Sequence, residues 1–324
     1  MLLLLSLCVA ALLAGLAVAA VTQPIAPPAA RHPSRVEPDR LRASVEALAT
    51  SLQPRDFAHP EGLDRAAAYI ADELRKAGGR VREQPFRVEG REYRNVIATF
   101  GPGGGERVVV GAHYDTAGAR PGADDNGSGV AGLLELARLL GAEAPASTVE
   151  LVAYTLEEPP TFRTERMGSH VHAAALAQAG TRVRAMVALE MIGFFSDAPG
   201  SQRYPLSALR WLYPTTGNFI AVVGKLGEGR LVRAVKRSIR SAAGDLPVRS
   251  INAPTAVAGI DFSDHRCYWA QGYPAVMITD TSFYRNPNYH EETDLPATLD
   301  FGRMALVVAG IDRAVRDLAA PRGQ

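Results

Sequence analysis

The chain has 324 residues, 47% of them hydrophobic and 21% charged, with a formal net charge of +1. That is enough for one large globular domain, and the charge is too balanced for the basic footprint of a nucleic-acid binder. Two cysteines, Cys8 and Cys267, are too few for a disulfide framework.

Residues 1–21 are almost all Leu, Ala and Val. They are expected to form a leader: a signal peptide with Ala17-Val18-Ala19 as its cleavage site, or an uncleaved membrane anchor built from residues 2–21. Both readings put the body outside the cytoplasm, as a secreted, periplasmic or anchored domain. Residues 22–38 are Pro-rich and read as a tether, which leaves 39–324 as a single domain. Apolar residues recur at helical spacing over 39–52 and 62–77, and 81–88 and 93–100 read as strands. The β-branched run 108–111 reads as a buried strand. Its end releases His113 and Asp115, a Gly/Pro loop then carries Asp124 and Asp125, and 128–140 reads as a helix. Next come a strand over 148–156 ending in Glu157-Glu158, a helix over 169–178, and a strand over 183–192 with Glu190 near its end. Residues 200–216, rich in Tyr, Pro and Ser and containing Trp211, read as an irregular excursion or lid. A strand over 219–223, a basic-faced helix over 229–241 and a last strand over 275–279 follow. The polar, aromatic loop 281–294 carries His290, and 299–318 closes the chain as a helix. Strands alternating with helices give an α/β fold with a mostly parallel or mixed sheet.

Ligands of open α/β sheets sit beyond the carboxyl ends of the strands. His113, Asp115, Asp125, Glu157, Glu158 and Glu190 all fall there. Carboxylates and imidazoles suit zinc, and a shell with open positions is catalytic rather than structural. Adjacent glutamates at a strand end point different ways, so one can ligate while the other acts as a base. Taken singly, each residue has a bland reading: a His-x-Asp is usually a satisfied loop pair, and a Glu-Glu a solvated edge. Glu190 is harder to dismiss, because a carboxylate inside Ala-Leu-Glu-Met-Ile-Gly is costly unless paired or ligated. His170 and His172 are two apart on a helix and face different ways, so chelation is not expected. The sequon Asn126-Gly127-Ser128 lies in the metal loop and is discounted as a glycosylation site. Cys267 reads as core, and Asp264 and His265 as either support for the site or packing.

The blocks GAHYDT, PGADDNGSG, Glu157-Glu158, LEMIG, Ser263-Asp264-His265 and NYHEETD all lie, in that order, between Val108 and Asp300. With them the sequence resembles the dizinc exopeptidases that include bacterial leucyl aminopeptidases and glutamate carboxypeptidase II. The resemblance implies a three-layer αβα sandwich of the phosphorylase/hydrolase-like type and two zinc ions per chain. It implies His113 and Glu190 on one zinc, Glu158 and His290 on the other, and Asp125 bridging both. Glu157 is then the general base, Asp115 orients His113, and Tyr289 donates to the oxyanion. The implied substrate is a peptide cut at its amino end. Alternatives on the same site are a carboxypeptidase-type amide hydrolase, for which Arg163, Arg166 and Arg285 are candidate clamps, and a glutaminyl-cyclase-like acyltransferase, which needs only one zinc. A non-catalytic receptor-like module is a further alternative. Two departures stand out: Glu190 where the family more often has Asp, and the bulky link PPTFRTERM after Glu158.

Overall fold

In a computed structural model, residues 2–24 and 35–321 are described. Most of the expected tether lies outside the described residues. The helices are α1 (Leu2–Thr22), α2 (Pro38–Glu46), α3 (Pro60–Lys76), α4 (Gly129–Ala142), α5 (Gly168–Gln178), α6 (Gly229–Ala242), α7 (His265–Ala270) and α8 (Phe301–Ala319). The strands are β1 (Arg80–Val88), β2 (Arg91–Phe100), β3 (Arg107–His113), β4 (Thr148–Tyr154), β5 (Val183–Glu190), β6 (Ile220–Lys225), β7 (Val248–Ala253) and β8 (Ala275–Thr279). All eight strands form one sheet in the order β1-β2-β4-β3-β5-β8-β6-β7. Its centre, β4-β3-β5-β8, is parallel, while β1, β2 and the β6–β8 pairing are antiparallel. The sheet is therefore mixed, with helices on both faces, as expected for an αβα sandwich.

Central strands are covered on both sides, so they read as continuous apolar runs rather than alternating ones. Every residue of β4 is buried. One core lies between the sheet and α2, α3, α4, α6 and α8; a smaller one packs α5 and α7 on the other face. α3 shows how the sequence shapes an element. Pro60 opens it at a position where no N–H is needed. Leu63, Ala66, Ala67, Ile70, Ala71 and Leu74 bury one stripe, and Gly78 follows at φ +84° to release the chain. Gly111 in β3 is required for a different reason: a Cβ there would lie 2.1 Å from the Tyr154 ring.

Several boundaries differ from expectation. α2 widens into a π-type turn over Ala47–Ser51 instead of running on as one α-helix. β7 and α7 carry no expectation in the sequence reading at all. β7 is a short edge strand with exposed Arg249, and α7 has only six residues, too few to show a period. Among the described residues no helix is long and apolar enough to cross a membrane.

Candidate metal centre

The parallel strands β3, β4 and β5 are neighbours, so their carboxyl ends open on the same edge of the sheet. His113 is the last residue of β3 and Glu190 the last of β5; Glu157 and Glu158 follow β4 by three and four residues. Asp125 arrives on the loop before α4, and His290 on the loop after β8. The fold thus brings together every ligand expected from sequence. His113 Nε2 lies 3.4 Å from Asp125 Oδ1 and 3.4 Å from Glu190 Oε2. His290 Nε2 lies 3.1 Å from Asp125 Oδ2 and 3.1 Å from Glu158 Oε1. Two triads result, His113–Asp125–Glu190 and Asp125–Glu158–His290, and they share Asp125. His113, Glu157 and Glu158 form a third close group, with Glu157 Oε2 4.0 Å from His113 Nε2.

The donor chemistry fits zinc. Each triad combines imidazole with carboxylate and stops at three groups, which leaves coordination positions open. Both oxygens of Asp125 are buried without a well-aligned hydrogen bond, an expensive state for a carboxylate unless a cation holds it. His113 Nδ1 lies 3.1 Å from the Asp115 carbonyl, which can only accept. Nδ1 therefore carries the proton, and the Nε2 lone pair faces the cluster as a metal ligand requires.

Around this shell, two buried carboxylates clamp the loops that carry it. Asp115 accepts from the backbone N–H of Glu157 (3.1 Å) and of Glu158 (3.0 Å). Its carboxylate approaches His113 Nδ1 only at 3.5 Å, so it fixes the glutamate pair more firmly than the histidine. Asp294 does the same for the metal loop, accepting from Asp124 N and Asp125 N at 3.0 to 3.1 Å. Ser263 Oγ donates to Glu190 Oε2 at 2.7 Å, which holds the longer side chain in place. His265 Nε2 instead bonds the Ile260 carbonyl, so it is a packing residue.

The sequence reading missed the strongest brace. Arg55 is fully buried, and its guanidinium donates to the carbonyls of Leu48 (2.6 Å), Pro121 (2.8 Å), Gly122 (2.7 Å) and Tyr114 (2.9 Å). Its own carbonyl accepts from Thr116 N. The loop joining His113 to Asp125 is thereby wrapped around one cation. Gly122, at φ +57°, has no room for a side chain: a Cβ would lie 2.3 Å from the Asp125 carbonyl and 3.0 Å from Arg55 Nη2. The ligand segments also carry left-handed non-glycine residues, Leu156 (φ +61°), Met191 (φ +50°) and His290 (φ +60°). Such backbone persists where the surroundings over-determine it, characteristically at functional sites.

The site's electrostatics favour a bound cation. Burial, with Glu158 and Glu190 adding to it against His113, pushes Glu157 well above the carboxylate range. Burial and Asp125 raise Glu158 to about 8, and burial raises Glu190. Asp125 alone is held low: burial opposes its ionisation, but His113 and His290 outweigh it. Burial disfavours the imidazolium of both histidines, yet Glu190 drives His113 well above its ordinary value and Asp125 with Glu158 drives His290 to about 10. Three glutamates and two imidazoles that favour their protonated forms around one ionised Asp125 mark a cluster which a divalent cation can neutralise instead.

The centre opens into a cavity of about 190 Å³ walled by Phe162, Tyr213, Phe219, Phe262, Met277 and Phe283, with Tyr289 beside the ligands. Burial and the carboxylates of Asp125 and Glu158 push the Tyr289 phenol upward, so it stays a donor. The PPTFRTERM link forms part of the wall through Pro159 and Phe162. The three arginines considered as carboxylate clamps are engaged elsewhere. Arg163 binds both oxygens of Asp261 at 2.6 Å, Arg166 binds Glu89, and Arg285 donates to Gln202 and the Phe219 carbonyl. Arg249 does line the cavity, but β7 stands three strands from β5. That is roughly 14 Å, whereas a terminal carboxylate lies within about one residue, 3.5 Å of chain, of the bond cut.

A sequence profile described as "Peptidase family M28" matches residues 95–311. The uncharacterized protein YfbL of Escherichia coli (strain K12) is 47% identical over 287 residues, covering 86% of this chain and 88% of its own. A probable leucine aminopeptidase of Arthroderma otae is 28% identical over 87% of this chain and 75% of its own. BSAP, a zinc aminopeptidase from Bacillus subtilis, superposes with a TM-score of 0.70 at 15% identity, covering 88% of this chain and 96% of its own; that likeness is one of fold.

Proposed function

The chain belongs to peptidase family M28, and on that premise we propose that it is a zinc aminopeptidase whose two metal ions are held by His113 and Glu190, by Glu158 and His290, and by Asp125 between them. The observation that carries the reading is the pair of triads sharing Asp125 at the floor of an apolar cavity. Zinc in such a set supplies Lewis acidity toward the scissile carbonyl and toward water. Glu157 belongs to neither Asp125 triad, so its carboxylate is free to take a proton from the attacking water and return it to the leaving amine. The Tyr289 hydroxyl donates to the developing oxyanion. The carboxylates of Asp125, Glu158 and Glu190 favour a substrate that presents an α-ammonium, because charge-assisted hydrogen bonds are the strong ones. Engagement of Arg163, Arg166 and Arg285 elsewhere supports the amino end over the carboxyl end.

The cavity supports a preference for a bulky apolar first residue. An apolar cavity of about 150 Å³ accepts benzene, and this one measures about 190 Å³. Leucine and phenylalanine fit; a charged side chain would give up hydration against the wall of Phe162, Phe219, Phe262, Met277 and Phe283. The body works outside the cytoplasm, a reading supported by the uncharged leader helix α1. The test is a panel of aminoacyl anilides and short peptides, free or N-acetylated. Leucyl and phenylalanyl substrates with free amines should turn over and their acetylated forms should not. Trimming of acetylated peptides from the carboxyl end would reject the aminopeptidase assignment.

A further inference from the structure

Three features outside the metal centre meet at the edge strand β7. The first is α1, which has no charged residue. All its side chains from Ala11 to Val18 are exposed, including Leu12 at 63% and Leu13 at 60%. Side chains 11–18, apolar on every side of the helix and uncovered by protein, call for an apolar medium. Its carboxyl end is pinned to the body: the Thr22 carbonyl accepts from Lys236 Nζ (2.8 Å) and Ser250 Oγ (2.8 Å), and Lys236 also reaches the Gln23 carbonyl.

The second is the basic face of α6, which carries Arg230, Arg233, Lys236, Arg237 and Arg240 and no acidic residue. Arg230, Arg233 and Arg237 are exposed, with no carboxylate partner among the described residues. Burial, joined by Arg240, Arg249 and Arg233, presses the Lys236 ammonium down to about 8, so these cations crowd the point where α1 joins the body. The third is Trp211, 90% exposed, flanked by Leu206 at 53% and Leu212 at 39%. Two residues on, Tyr213 Oη donates to the carbonyl of Ser250 (2.7 Å), the same residue whose hydroxyl holds Thr22.

We propose that this surface docks on an anionic phospholipid bilayer: the exposed stretch Ala11–Val18 of α1 buries in the bilayer, Arg230, Arg233 and Arg237 face the headgroups, and Trp211 lies at the interface. Membrane attachment by one apolar segment is reinforced by a polybasic patch beside it, and tryptophan favours the headgroup level. A second copy of the chain is a poorer occupant, because a two-fold contact would set the basic face against itself. Docked in this way, the cavity wall at Tyr213 lies beside the lipid.

The test uses the full chain reconstituted into phosphatidylcholine vesicles with and without about one-third phosphatidylglycerol. The chain has two tryptophans, and Trp269 is 8% exposed against 90% for Trp211, so emission changes report Trp211, with Trp211→Phe as the reference. The expected result is a blue shift and quenching by brominated lipid in anionic vesicles, reversed by roughly 0.5 M salt. The triple variant Arg230→Gln, Arg233→Gln, Arg237→Gln should lower the docked-to-free ratio on the order of a hundredfold while turning over a soluble peptide at the wild-type rate. Trp211 equally open to iodide in vesicles and in buffer overturns the proposal. So does equal docking on neutral vesicles, a stable dimer that hides Trp211 without lipid, or an intact mass showing that the mature chain starts after α1.

Discussion

Arg55→Met isolates the brace beneath the metal loop. Methionine has a similar reach and no donors, so the substitution strands the carbonyls of Leu48, Tyr114 and Pro121 in a fully buried place and leaves that of Gly122 with only the Gly127 N–H. Each buried unsatisfied group costs about 1–3 kcal/mol. Relief from burying a guanidinium, whose pKa burial has lowered to about 10, offsets part of that. A net loss of about 3–5 kcal/mol is expected, in line with breaking other buried charged networks, and it should lower Tm by roughly 10 °C. The second consequence is local. The freed loop joins His113 to Asp125, and loss of supports outside the ligand shell typically weakens metal binding by about 10- to 100-fold. Arg55→Lys keeps the charge with three donors for four carbonyls, so it should fall between wild type and Met. Zinc affinity, measured by chelator competition on folded protein well below its Tm, separates the two effects. If Arg55→Met lowers Tm yet binds zinc as wild type does, Arg55 is not what positions the loop.

Glu157→Gln should keep its zinc content and lose about 100- to 10,000-fold in turnover, because its carboxylate lies outside both Asp125 triads; wild-type rates in a zinc-loaded variant would reject it as the base. Glu190→Asp should retain more zinc than Glu190→Ala, since it keeps an oxygen and the charge; equal loss, measured by native mass spectrometry, would mean that reach controls the site. His172 tests the acid side of stability. Burial, with Arg82 and Arg107, depresses its imidazole to about 3, below an unfolded value of about 6.5. Its contribution is therefore complete above pH 6.5 and is lost as the pH falls from there toward 3, at up to about 1.4 kcal/mol per pH unit. His172→Phe should flatten the stability curve over that window, and an unchanged slope in denaturant titrations would contradict the assignment.

The sequence was most legible where one strand supplies both its own burial and a ligand. His113, Glu157, Glu158 and Glu190 each follow an apolar run, so periodicity alone places them on one edge of the sheet. Asp125 and His290 have no such run, and only their surrounding blocks identify them. Residues that act through backbone groups were hidden. Arg55 sits in Gln-Pro-Arg-Asp between two helices, and nothing local shows that five hydrogen bonds converge on it from residues 48 and 114–122. Asp294 looks like one more acid in a polar loop until the N–H groups it accepts from are seen. β7 escaped because Val248–Ala253, with Arg, Ser and Asn among its six residues, has no apolar run, and α7 because six residues are too few to show a helical period.

Anomalous diffraction at the zinc edge, from crystals of the zinc-loaded protein, addresses the shared carboxylate most directly. Two peaks are expected on either side of the Asp125 carboxylate, about 3.5–4 Å apart, one beside His113 and Glu190 and the other beside Glu158 and His290. A single peak, or one seated among His113, Glu157 and Glu158 with Asp125 free, would contradict the two-metal site and remove Glu157 from its role as base.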